Sequence, residues 1–185
     1  MGIITANVEL SNLRQPQLNP LNVWIPSKDT GVDLLITHCD NRKSASLQVE
    51  FSKDFVPEAR RESSIKSCLL ATGWWTHDQQ KIENSRADFW VFVLPSFLDH
   101  RTSFIIIPSR ELLRRLRSIH GHCDQRVQSY FCITKPTKST ASKCWEHRGL
   151  GRDDLKKIGE DCFANELRDF SVFLDAWNQI EKVLR

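Results

Sequence analysis

The segments Gly31-Val32-Asp33-Leu34-Leu35-Ile36-Thr37 and Ser46-Leu47-Gln48-Val49-Glu50-Phe51 decide how this chain is read. Each is a short run rich in branched aliphatic residues, the composition of a strand, and each carries polar groups that packing alone would not select. With His38 to Ala45 as a turn, the two runs predict an antiparallel hairpin. Its strand ends would bring Asp33, Gln48 and Glu50 to one point. Converging oxygens of that kind suit a hard divalent cation such as Mg2+.

Working outward, Ile3 to Leu13 predicts a short helix carrying Glu9, closed by the Pro16 and Pro20 region, and Leu21 to Ile25 an extended piece. Downstream, Glu58 to Thr72 has helical spacing. Gly73, Trp74 and Trp75 then lead into a polar loop or short helix reaching Arg86. Asp88 to Leu94 and Phe104 to Ile107 predict buried strands. Ser109 is a suitable N-cap for a helix over Arg110 to His120, with Leu112, Leu113, Leu116 and Ile119 inward and Arg110, Arg114 and Arg117 outward. This order places the chain in the α/β class, a mixed central sheet flanked by helices.

Beyond Gly121 the pattern weakens. Val127 to Thr134 predicts an edge strand, Lys135 to Lys143 a loop and Asp153 to Gly159 a helical turn. Phe170, Phe173, Leu174, Trp177, Ile180 and Leu184 then fall on one face of a single C-terminal amphipathic helix. The expected organisation is a core over 1–120 with a C-terminal extension, 121–185, packed on the same domain.

The composition sets the bounds. In 185 residues, 40% are apolar and 26% charged, enough for one well-packed core. A net charge of +3 permits a polyanionic partner without requiring one. The six cysteines are irregularly spaced and no signal-peptide pattern opens the chain, so they read as reduced thiols of a cytoplasmic protein. No apolar run approaches the roughly 20 residues of a spanning helix, which argues against a membrane partner.

A helix with a glutamate, then "GVDLLIT", "SLQVEFSKDF", a helix, "ADFWVFVL" and "FIIIPSREL" form a succession that resembles the restriction-endonuclease-like PD-(D/E)XK nuclease superfamily. The likeness is to small bacterial restriction-type and uncharacterised nuclease domains, and covers about residues 3 to 120. It implies a Mg2+- or Mn2+-dependent endonuclease of a bacterial restriction or defence system, cutting double-stranded DNA as a homodimer. It also assigns roles. Asp33 matches the metal-binding aspartate, Gln48 the variable acidic or amide position, Glu50 the usual lysine position, and Glu9 the extra acid of the first helix.

Glu50 departs from that pattern, because a carboxylate cannot supply the lysine's positive charge. Three explanations stand: glutamate ligates metal or acts as a base there, Lys53 reaches in across a bulge, or the site is inactive and the domain only binds DNA. A small protein-interaction domain is the remaining alternative.

Arg101, Arg110, Arg114, Arg115 and Arg117 offer a surface for phosphate contact against one acid, Glu111. Plainer readings stand beside these: Asp33 as a turn aspartate, Gln48 and Glu50 as the polar face of a half-exposed strand, Glu9 as a solvated residue and the arginines as a solvated helix face. Trp74, Trp75, Phe89, Trp90 and Phe92 read as core, with Trp75 the ring held back for exposure near a cleft. His120, His122 and Cys123 with Cys144 and His147 give a weak zinc-type spacing, and unrelated histidines and buried thiols are the favoured reading.

Overall fold

A computed structural model of the chain describes residues 21–28, 31–52, 65, 67–96, 101–122, 126–135 and 141–185. The predicted first helix with Glu9, and also Lys53 and Cys123, lie outside the described residues. Five strands form the central sheet: β1 (Leu21–Trp24), β2 (Leu34–His38), β3 (Ser44–Phe51), β5 (Phe89–Pro95) and β6 (Thr102–Pro108), side by side in that order. β3 and β5 run parallel and the other neighbours antiparallel, so the sheet is mixed. β4 (Leu69–Asp78), β7 (Arg126–Thr134) and β8 (Lys143–Glu146) form a second, antiparallel sheet. The helices are α1 (Gln79–Glu83), α2 (Ser109–His120), α3 (Arg152–Gly159) and α4 (Asn178–Leu184). The chain is therefore mixed α/β. Among the described residues no helix is long and apolar enough to cross a membrane.

Strand periodicity divides the core in two. Leu34, Ile36, Leu47, Val49, Val91 and Ile106 face one way and meet Trp177, Ile180 and Leu184. Trp90, Phe92, Leu94, Ile105 and Ile107 face the other way, against Leu112 and Leu116 of α2 and Trp75, Phe131 and Ile133 of the second sheet. With both faces covered, every residue from Phe89 to Leu94 is buried, which explains a continuous apolar run in place of alternation.

Several local expectations change. Leu69 to Thr72 belong to β4 and not to a helix, and β4 carries on through Gly73, Trp74 and Trp75. Trp75 is buried at 5% exposure and Trp74 is the exposed ring at 37%, because period-two alternation turns Trp75 onto Phe92 and Phe131. A Cβ at position 73 would overlap the Trp75 ring, so glycine is required there. β7 is the centre of its sheet and not an edge, and Lys143 begins β8.

Ser109 does not cap α2. It lies inside the helix after Pro108 and its hydroxyl donates to the Ala87 carbonyl. The C-terminal helix is also interrupted: Ser171–Phe173 is a 3-10 turn, Leu174 bridges to Ile105, Asp175 takes φ 50°, and α4 starts only at Asn178. Phe170 and Phe173 reach one face of the central sheet and Trp177, Ile180 and Leu184 the other. One helix could not serve both.

Candidate functional site

The β2–β3 hairpin closes through a tight turn in which Asn41 donates its N–H to the His38 carbonyl (2.8 Å) and adopts φ 56°. Its ladder pairs Leu34 with Leu47. One residue beyond, Asp33 donates its own N–H to the Leu47 carbonyl (2.8 Å). Its Oδ2 accepts from the Val49 N–H (2.7 Å) and from the Gln48 side-chain amide (2.6 Å). The carboxylate thus extends the ladder one position before Leu34, the first residue of β2, and fixes Gln48 at the same time.

Gln48 and Glu50 are two apart on β3 and so project from the same face. Their parallel neighbours are Trp90 and Phe92. Asp33 and Glu50 therefore lie toward one side of the sheet, as a shared site requires. Glu50 is half-buried and makes no hydrogen bond or ion pair with a described residue. Burial raises its carboxyl pKa above the usual range, the charge of Lys81 opposes that rise, and the like charge of Asp33 adds to it.

The end of β3 is anchored to the second sheet, where the Ser52 hydroxyl accepts from the Trp74 N–H (2.9 Å). Beside Gln48 opens a cavity of about 350 Å³ whose lining includes Gly31, Asp78, Lys81, Arg86 and Trp90. Sequence reasoning misses Lys81 and Arg86. Lys81 sits on α1, whose first turn is capped by Asp78 Oδ1 accepting from the Gln80 and Lys81 N–H groups (2.9 and 3.2 Å). Only the cap is readable locally; the cavity is made by tertiary packing.

The oxygens present fit a hard cation in kind. Among the described residues Asp33 Oδ1 and both Glu50 oxygens have no protein donor, and Gln48 Oε1 is the amide atom not committed to Asp33. An all-oxygen set with few protein ligands is the usual Mg2+ arrangement, with water completing the shell. Among the described residues no group of three or more His, Cys, Asp or Glu side chains is placed to hold a metal ion, so a cation here would rest on the two carboxylates of Asp33 and Glu50.

The arginines separate into distinct roles. Arg114 makes two bonds of 2.7 Å to Glu111, and Arg115 joins the same carboxylate at 2.7 Å. Together, Arg114 first, they lower the Glu111 pKa to about 2. Arg115 is turned inward, donating to the carbonyls of Glu166, Leu167 and Asp169 at 2.7–3.0 Å, so its charge does not face an outside phosphate. Arg117 pairs with Glu83 (2.7 Å). Arg110 is exposed on the first turn of α2, and Arg101 is exposed just before β6.

The zinc-type residues are dispersed by function. Cys144 is fully buried in the core, its thiol pushed far up by burial. His147 is buried with its ring 5.8 Å from that of Tyr130, and His122 is exposed. His120 lies 3.4 Å from Glu146. No family model, curated protein or solved structure matches the chain.

Proposed function

We propose that this chain is a Mg2+-dependent nuclease that hydrolyses phosphodiester bonds of double-stranded DNA, working as a cytoplasmic homodimer in a bacterial restriction or defence system. The observation that carries the reading is the Asp33, Gln48 and Glu50 constellation: one carboxylate locked in place by two donors, and a second carboxylate on the same side with none among the described residues. A half-buried carboxylate without a donor is costly to a fold and is characteristic of a site that expects a ligand.

A bound Mg2+ would lower the pKa of a coordinated water and offset charge on the phosphate. Asp33 would hold it through Oδ1, with its orientation set by the Val49 N–H. Glu50 would supply a second anionic oxygen and Gln48 an amide oxygen. As a carboxylate, Glu50 would also be placed to accept a proton from an attacking water, a role lysine cannot take in its charged form. Lys81 supplies positive charge on the same side of the sheet.

A plasmid-nicking assay with Mg2+ or Mn2+ tests this on the native chain, Asp33→Asn and Glu50→Lys. The native chain is expected to nick. Asp33→Asn keeps an acceptor for the Val49 N–H while losing the anionic ligand, so its rate is expected to fall by about 100-fold or more with the melting temperature retained. Cleavage by Glu50→Lys alone would establish instead the second reading, a DNA-binding domain whose chemistry residue 50 has disabled. Sedimentation at assay concentration checks the dimer, which the reading requires because one such site cuts one strand.

A further inference from the structure

Two cavities adjoin at Ser85 and Arg86. The first, of about 350 Å³, begins at Gln48 and includes Lys81. The second, of about 570 Å³, continues past Asp88 to Ser109 and Arg110 at the start of α2. Lys81, Arg86 and Arg110 are all exposed, and the side chain of none enters a hydrogen bond or ion pair with a described residue.

The acids of the same lining are occupied. Asp78 caps α1, Asp88 Oδ2 accepts from the Ser46 N–H and hydroxyl (both 2.8 Å), and Glu83 holds Arg117 at 2.7 Å. Among the described residues the hollows therefore present cationic donors without protein acceptors, while their carboxylates receive protein donors, neutral ones at Asp78 and Asp88 and the Arg117 guanidinium at Glu83. On the outer face of α2 the reverse holds, since Arg114 and Arg117 each have a carboxylate within 2.7 Å.

We propose that Lys81, Arg86 and Arg110 form the track that takes the sugar-phosphate backbone of duplex DNA and leads it to Asp33 and Glu50. The identity of the ligand rests on the nuclease reading above; the track itself rests on the joined cavities and on three cations that no described residue pairs with. A lone phosphate would need one such donor. Three in series along connected hollows suit a polyanion whose charges repeat.

The test is fluorescence anisotropy of a labelled DNA duplex in EDTA, where no cleavage occurs, over a salt series. Arg86→Ala/Arg110→Ala is expected to weaken binding at least about 10-fold and to flatten the log–log salt dependence by about 2, one for each phosphate no longer neutralised. Lys81→Ala is expected to flatten it by about 1, and Arg114→Ala to leave it unchanged. Unaltered affinity and slope in the double variant, with duplex bound by the native chain, overturn the track and leave the nuclease reading standing. Failure of the native chain to bind duplex overturns both. Binding that depends on Arg86 and Arg110 without any nicking upholds the track while refuting the catalytic reading. Thermal melting of each variant separates weakened binding from a damaged fold.

Discussion

Arg168 and Arg115, in the C-terminal half of the molecule, are turned inward and answered by several acceptors, whereas Glu50, near the end of β3, stands half-buried with no donor among the described residues. Arg168 Nη1 meets the fully buried Glu146 at 2.5 Å and the Arg148 carbonyl at 2.9 Å, and Glu146 also accepts from the Arg148 N–H at 3.2 Å. The Arg115 guanidinium lies about 5 Å from the rings of Phe170 and Phe173 and closes the segment 166–169 over α2. Charge on this side of the molecule is used to hold polypeptide. At the hairpin the Glu50 carboxylate receives no donor from the described residues and stays within reach of solvent.

Arg168→Ala puts the first half of that contrast under the greatest load. It leaves Glu146 buried with its strongest partner gone, and a broken buried pair costs about 3–5 kcal/mol. Urea denaturation is expected to show a loss of that size at an unchanged m-value. A loss below about 1 kcal/mol would mean that Glu146 is solvated once Arg168 is gone, and the distinction between the two regions would fail.

Acid should loosen the second sheet, which carries His77 on β4 and His147 just after β8. Burial, reinforced by the charge of His120, lowers His77 to about 3, and its ring is held by Ser129 at 2.7 Å. Burial also lowers His147 to about 4, with Glu146 opposing and Arg168 assisting. Both are neutral when folded, while the unfolded chain protonates them from about pH 6.5 downward. Their contribution to stability is complete above that pH and is lost as pH falls toward 4, at roughly 1.4 kcal/mol per unit for each histidine. Denaturation at pH 7 and pH 5 checks the sign. His77→Gln should remove its own part of the slope.

How far these arrangements are legible in the sequence depends on how local they are. The β2–β3 hairpin is readable because both its strands and its turn lie within twenty residues, and that hairpin alone brings Asp33 onto Gln48, with Glu50 two residues further along the same face of β3. β5 and β6 are readable as unbroken apolar runs. The C-terminal segment misleads because Phe170 to Leu184 has true helical spacing, yet its apolar residues are shared between opposite faces of the sheet, and Asp175 breaks the helix between them. β4 is hidden by the small residues Ala71 and Gly73 among its buried positions.

The arginine stripe on α2 reads as a surface for phosphate because the spacing of one helix cannot reveal Glu83 on α1 or the carbonyls of 166–169. Lys81 and Arg86 escape notice for the same reason. They lie more than thirty residues beyond Gln48 and join it only in the folded chain.

Glu50→Gln carries the smallest expected effect and bears directly on the other half of the contrast. Glutamine has the same shape, needs no counter-charge, and removes repulsion from Asp33. If Glu50 is a charge retained for a ligand, its removal should stabilise the free protein by about 0.5–2 kcal/mol, the usual gain when a functional strain is relieved. The pH dependence has the opposite sign to that of the histidines. The folded-state pKa of Glu50 is raised, so the native chain gains stability as pH falls through that raised value, and the advantage of the glutamine form should shrink there. Added Mg2+ should stabilise the native chain more than the variant, because only the carboxylate supplies the second anionic ligand. A destabilisation beyond about 1 kcal/mol at pH 7 would assign Glu50 to the same structural class as Glu146, and the hairpin would lose its claim to be a cation site.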